Sequence, residues 1–260
     1  DHDNTEALAV AAPVAARLGI ELIPGIEMSS SVGDIEVHVL GLFLDTTHPG
    51  LQRHLAEQQA RRVERVKEMV RRLNRQGLAI TAEEVFALAG DGTVGRPHVA
   101  RALLKRGHIA TAAEAFDRYI GSAAHPAFVP GSPLPPAQII RVILEAGGIP
   151  VLAHPIYMKN DQLIEQFVRD GLAGLEAYHS GHNPDQVRHY ERMAKERSLL
   201  MTGGSDYHGE SKEGLPIGAI KNELAQIRDT LSVNLETAKA KITAAKAGAA
   251  PGPAADLEKA

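Results

Sequence analysis

Residues 149–208 read IPVLAHPIYMKNDQLIEQFVRDGLAGLEAYHSGHNPDQVRHYERMAKERSLLMTGGSDYH. Ile149 to Ala153, Gly174 to Tyr178 and Leu199 to Thr202 are short apolar runs bounded by turn residues, and each predicts a strand. Between them, Gln162 to Asp170 and Pro184 to Arg197 have helical spacing, as does Ala137 to Ala146 ahead of the first run. Repeated βα units of this length imply an α/β protein with a parallel sheet, either open or closed into a barrel, with functional side chains at the strand C-terminal ends.

The proline-rich segment from Pro130 to Pro136 marks a boundary. Before it, from Gly50 to Pro130, helix follows helix. Val63, Val66, Met69, Val70 and Leu73 form an apolar stripe, Thr81 with Glu84 and Thr111 with Glu114 fit capping boxes, and Pro97 suits a first helical turn. This predicts a helical insertion over 50–130, with the main domain formed by 1–49 and 131–247. In the first part of that domain Thr5 to Leu18 has helical spacing, and Glu21 to Met28 and Ile35 to Leu44 read as strands with Gly33 and Asp34 in the turn between them. A last helix is expected from Asn222 to Ala247, and residues 248–260 have the Ala/Pro/Gly bias of a disordered tail.

The composition narrows the chemistry. A hydrophobic fraction of 44% over 260 residues is ample for a core. A net charge of −4 argues against a chain coated with nucleic acid or lying on an anionic membrane, so any phosphate binding must be local. With no cysteine, thiolate metal sites and a cysteine nucleophile are excluded, and the 12 histidines with Asp and Glu are the available ligands. No apolar run approaches the roughly 18 residues of a membrane span. The expected location is cytoplasmic, with no membrane contact and no obligate protein partner evident. The chain opens at Asp1, without a methionine.

Imidazoles and carboxylates gather at the predicted strand ends. His2 precedes the first helix, Glu27 closes the first strand, His38 lies in the second, and His154 follows the third in Ala-His-Pro. His179 and His182 follow the fourth, and Asp206 and His208 follow the last. In a parallel barrel these positions converge on one mouth, and such a donor set suits Mn²⁺, Fe²⁺ or Zn²⁺ in hydrolytic sites with more than one metal. For each residue a plainer reading stands beside this one. A single histidine is commonly a surface or hydrogen-bonded core residue, Glu27 suits a cap or an ion pair, and Asp206 with His208 suits an Asx-type turn.

Asp1-His2-Asp3-Asn4-Thr5, Gly25-Ile26-Glu27-Met28-Ser29, Glu36-Val37-His38-Val39-Leu40-Gly41-Leu42, Gly95-Arg96-Pro97-His98, Ala153-His154-Pro155 and Ser205-Asp206-Tyr207-His208 follow one another in this order. In order and spacing they resemble the signature segments of PHP (polymerase and histidinol phosphatase) domain phosphoesterases. The nearest branch is that of nucleoside 3′,5′-bisphosphate phosphatases and 5′-to-3′ exoribonucleases. The resemblance implies a distorted (β/α)₇ barrel with a helical insertion over the site. It also implies up to three divalent metal ions in the intact domain, Mn²⁺ foremost, with Zn²⁺ or Fe²⁺ as alternatives. By motif His2, Glu27, His38, His182, Asp206 and His208 correspond to metal ligands. His154 corresponds to a catalytic group that contacts phosphate or protonates the leaving oxygen, with His179 as a lesser candidate near substrate. Arg96 and His98 correspond to phosphate-binding groups from the insertion, and the alternative for Arg96 is a salt bridge.

The resemblance further implies a metal-activated water attacking a phosphate ester of a nucleotide, either a 3′,5′-bisphosphate or an RNA 5′ end. The alternatives are a small-molecule phosphomonoester phosphatase like histidinol phosphatase and an inactive metal- or nucleotide-binding fragment. The family's opening His-x-His strand is absent, so the barrel is expected to be incomplete at its N-terminus and the chain to be part of a longer one. Phe128 stands where the family pattern has a tyrosine. The run Arg61, Arg62, Arg65, Lys67, Arg71, Arg72 and Arg75, broken only by Glu64 and Glu68, is either a solvated helix face or a surface that steers RNA or a nucleotide.

Overall fold

The computed structural model describes residues 2–90 and 92–207. The chain divides into two compact units, residues 1–172 and 173–260. The fold is mixed α/β.

In the first unit, helix α1 (Glu6–Leu18) ends on Gly19, whose φ of 65° closes the helix in the left-handed region that glycine adopts without strain. Strands β1 (Gly25–Val32) and β2 (Ile35–Leu42) then pair antiparallel from Gly25 opposite Leu42 to Val32 opposite Ile35, leaving Gly33 and Asp34 as the turn. The first strand therefore does not stop at Met28 as its apolar run suggested. Ser29, Ser30 and Ser31 continue it because their hydroxyls find partners. Ser30 donates to the Val37 carbonyl, Ser31 to the Ser132 carbonyl, and Ser29 accepts from Arg62. Glu27 is thus a mid-strand residue, as is His38, and neither sits at a strand end.

Period-two alternation separates the two faces of this hairpin. Ile26, Met28, Val37 and Val39 face the core, where helix α6 (Pro136–Glu145) packs Ile139, Ile140 and Ile143 on the sheet. Gly41 permits this close approach, since a Cβ there would lie 2.6 Å from Leu44 Cδ2 and 3.1 Å from Ile143 Cγ1. Strand β3 (Ile149–Leu152) pairs antiparallel with β2, from Leu152 opposite Val39 to Ile149 opposite Leu42. These three strands thus form an antiparallel part of the sheet.

The helical stretch begins with α2 (Pro49–Asn74), followed by α3 (Ala82–Ala89), α4 (Arg96–Lys105) and α5 (Ala112–Ala115), which runs into a π-turn over Phe116–Ile120. Val66, Met69, Val70 and Leu73 of the apolar stripe are buried, with Val85, Val99, Leu103 and Ile120, in a core of this segment. Thr81 and Glu84 form the expected capping box, and Pro97 lies in the first turn of α4. At α5 only half of the second box forms. The Thr111 hydroxyl accepts from Glu114 N–H, but the Glu114 carboxylate accepts from Ala110 N–H.

In the second unit β4 (Gly174–His179) and β5 (Leu200–Gly204) pair parallel, joined through α8 (Pro184–Glu196), so here the βα reading holds. Helix α7 (Gln162–Arg169), which the sequence periodicity predicts, lies in the first unit. The expected helix over 222–247 and the tail over 248–260 lie outside the described residues.

Candidate metal centre

Glu27 pairs with Leu40 across the hairpin and His38 pairs with Ser29, so Glu27 and His38 are diagonal neighbours on the face opposite the core. Three donor atoms meet there. Glu27 Oε1 lies 3.0 Å from His38 Nδ1 and 3.0 Å from His154 Nε2, and the two nitrogens are 3.2 Å apart. His154 reaches this point from the loop after β3, whose residue Ala153 donates its N–H to the His38 carbonyl. On the other edge of β1 the segment at His2 forms a parallel bridge with Glu27, which brings His2 Nε2 to 3.8 Å from Glu27 Oε2.

One carboxylate and several imidazoles within a few ångströms form a donor set of the kind that binds divalent transition metals. His2, Glu27 and His38 each offer one ligand atom with all three within 4.8 Å of one another.

The electrostatics show how strongly these groups act on one another. Burial opposes charge on Glu27, but hydrogen bonds from His154 and His38 and the neighbouring His2 outweigh it and hold the carboxyl well below its usual range. Burial likewise opposes charge on His38, yet hydrogen bonds to Glu27 and Glu36 push it up to about 9. His2 moves the other way, down to about 4, because burial dominates, with Glu27 opposing and His38 adding to the fall.

Two carboxylates that the sequence reading passed over support this face. Glu36 Oε1 lies 3.6 Å from His38 Nε2, on the far side of the ring from Glu27, and Glu36 Oε2 accepts from Arg96 at 2.7 Å. The signal was present in Glu36-x-His38, since residues two apart in a strand share a face. Asp3 is only 1% exposed; it accepts from Ser29 N–H at 2.9 Å and from both Nε and Nη2 of Arg62 at 2.9 and 2.6 Å. Asp3 and His154 also have positive φ, 55° and 26°. Such backbone is costly for non-glycine residues and persists where the surroundings over-determine it, often at functional sites.

Arg96 is engaged by Glu36 and by the Gly121 carbonyl, so the salt bridge considered for it is present. His98 Nδ1 accepts from Gly95 N–H and so caps α4. Its pKa is lowered, by burial first and then by Arg101.

The second unit brings together His179, His182 and Asp206. His179 is the last residue of β4 rather than following it, and its Nδ1 accepts from Gly181 N–H. Its Nε2 lies 3.6 Å from Asp206 Oδ2. His182 Nδ1 donates to the Ala177 carbonyl at 2.9 Å, which assigns the proton to Nδ1 and the lone pair of the neutral ring to Nε2. A backbone carbonyl holding one ring nitrogen is the usual support of a metal-binding imidazole. Asp206 also has positive φ, 51°. His208 lies outside the described residues.

No helix among the described residues is long and apolar enough to cross a membrane. No family model matches the chain. It is 35% identical over 213 residues to a 5′-3′ exoribonuclease of Haemophilus influenzae, covering 80% of this chain and 77% of that protein. It is 31% identical over 224 residues to a 3′,5′-nucleoside bisphosphate phosphatase of Chromobacterium violaceum, covering 84% and 78%. Its fold matches the crystal structure of a protein assigned as a metal-dependent phosphoesterase from Bifidobacterium adolescentis with a TM-score of 0.78 and 32% identity, over 87% of this chain and 82% of that one. These similarities converge with the donor set around Glu27, and the chain belongs to the family of 5′-3′ exoribonucleases and 3′,5′-nucleoside bisphosphate phosphatases, hydrolases of phosphate esters.

Proposed function

We propose that the protein is a PHP-type phosphoesterase that hydrolyses a phosphate ester of a nucleotide, a 3′,5′-bisphosphate or an RNA 5′ end, with divalent metal, Mn²⁺ foremost. The observation that carries this reading is the single carboxylate of Glu27 flanked by His2, His38 and His154 on the face of β1 and β2 turned away from the core. In this reading the barrel is formed by 1–49 and 131–247 with the insertion at 50–130, and the protein works in the cytoplasm.

His2, Glu27 and His38 hold metal through their imidazole nitrogens and carboxylate oxygens, and His182 and Asp206 are further ligands. Bound metal supplies positive charge for the phosphoryl oxygens and acidifies water. Glu36 orients His38 from the far side of its ring, and Arg96 holds Glu36 in that position. This gives Arg96 a positioning role in place of the phosphate contact expected from its motif. His154, with Nε2 at the edge of the donor set, is the group placed to donate a proton to the leaving oxygen.

The test is phosphate release from adenosine 3′,5′-bisphosphate with Mn²⁺, comparing the chain, its Glu27→Gln variant and a chain extended by a His-x-His-bearing N-terminal segment. Release that needs Glu27 supports the reading. Failure of both unsubstituted chains, with or without the extension, overturns it.

A further inference from the structure

Arg96, the first residue of α4, carries the helical stretch to the His38 side of the centre. Its Nη2 donates to Glu36 Oε2 at 2.7 Å, and Glu36 Oε1 lies 3.6 Å from His38 Nε2. The ion pair with Glu36 does not by itself hold the guanidinium there. Arg65 is close enough for the two cations to repel, and the Arg96 side chain, 21% exposed, loses rotamer freedom when it is fixed. Two further contacts hold it, and both come from one turn of chain. Nη1 donates to the Gly121 carbonyl at 3.3 Å, and the guanidinium carbon stands over the Phe116 ring, 6.0 Å from its centroid. Phe116 opens the π-turn that follows α5, and Gly121 closes it.

Widened turns of this kind are rare in helices and are found frequently at functional sites. This one depends on particular residues. A Cβ at Gly121 would overlap the Phe116 carbonyl oxygen, so glycine is needed for space, although its φ of −76° is ordinary. Ala115 and Ile120, both fully buried in the core of the helical stretch, pin the turn from within. His125 braces it from outside. Its Nδ1 accepts from Ser122 N–H at 2.9 Å, which leaves the proton on Nε2, and Nε2 donates to the Asp117 carbonyl at 2.7 Å. The turn is thus held at both ends while it presents one carbonyl and one ring to Arg96.

We propose that this π-turn is a positioning element for His38. Phe116 and Gly121 set the Arg96 fork, Arg96 sets Glu36, and Glu36 fixes the plane of the imidazole. The inference rests on the reading of His38 as a metal ligand and extends the support of that ligand beyond Glu36 into the helical stretch. A carboxylate on the far nitrogen of a ligating imidazole orients the ring, and what holds the carboxylate governs how well it does so.

The test uses Gly121→Ala, Phe116→Leu and Phe116→Tyr, each alone and combined with Glu36→Gln. Mn²⁺ affinity is measured by calorimetry, and the His38 imidazole resonances are followed by NMR in chelator, assigned by their loss in His38→Gln. Gly121→Ala and Phe116→Leu are expected to move the resonances and to weaken Mn²⁺ binding about three- to tenfold. Phe116→Tyr keeps a ring against the guanidinium and should do neither. In the Glu36→Gln background the same changes should add nothing, because their route to His38 is already cut. Phe116 is only partly buried, so its variants keep the test open if Gly121→Ala impairs folding. Unmoved His38 resonances in Phe116→Leu, or an undiminished further loss of affinity in the Glu36→Gln background, overturns the positioning role. Mn²⁺ uptake that is equal in all variants also removes that role and leaves the metal centre standing. No uptake by the unsubstituted chain, with the resonances moving as expected, removes the metal reading and leaves the positioning of His38.

Discussion

Glu27 Oε1 is shared at 3.0 Å by His38 Nδ1 and His154 Nε2, so one carboxylate oxygen anchors two imidazoles from different elements. Replacing Glu27 by Gln keeps the shape and removes the charge. Metal affinity is expected to fall by at least about 100-fold, beyond the loss typical of supporting residues. Metal content after dialysis at graded Mn²⁺ measures this, and undiminished uptake would show that Glu27 is not a ligand.

His38 and His2 give the metal-free protein opposite pH dependences. The His38 pKa is raised to about 9, so its contribution to stability is full below about 6.5 and lost as pH rises through 9. The His2 pKa is lowered to about 4, so its contribution is present above about 6.5 and lost as pH falls through 4. Denaturation midpoints in chelator should therefore peak near pH 6.5, the ordinary histidine pKa, and decline on both sides. His38→Gln is expected to flatten the alkaline limb. With Mn²⁺ present, binding displaces the His38 proton, so affinity should rise between pH 7 and 9.

Glu36 faces the far nitrogen of His38 at 3.6 Å and is itself held by Arg96 at 2.7 Å. Glu36→Gln is expected to lower metal affinity by roughly 10- to 100-fold with little change in fold. Arg96→Lys should give a smaller loss in the same direction, because lysine cannot hold Glu36 and the Gly121 carbonyl with one planar fork. If neither variant alters affinity, His38 is held by other contacts.

Asp3 and Arg62 form a largely buried pair, with the Asp3 side chain 1% and the Arg62 side chain 17% exposed. Removing only the arginine, as in Arg62→Leu, strands a carboxylate and is expected to cost about 3–5 kcal/mol. Adding Asp3→Asn should return part of that loss. Urea unfolding of the single and double variants measures the coupling, and simple additivity would contradict it.

Gly41 lies where α6 meets the sheet, and a Cβ there would approach Leu44, Ile143 and Ile26 at 2.6, 3.1 and 3.2 Å. Gly41→Ala is expected to destabilise the fold by about 1–3 kcal/mol through overpacking. Metal affinity per folded molecule should change little, since the clash is on the opposite face from Glu27.

Much of this was legible in the residues themselves. Gly33-Asp34 between two alternating runs determined the hairpin, helical spacing from Gly50 onward determined the helices, and the gathering of His and Glu near predicted strands determined which residues to watch. These signals are local, because side-chain period and turn chemistry act within a few residues. What tertiary structure alone decided is which donors meet. Glu27 finds His154 across 127 residues, His38 finds it across 116, and Arg96 reaches Glu36 across 60. Those encounters depend on strand register, on the antiparallel pairing of β3 with β2, and on how closely α6 and α2 pack. Register and packing are set by the fit of many side chains at once, and no single stretch of sequence carries that information.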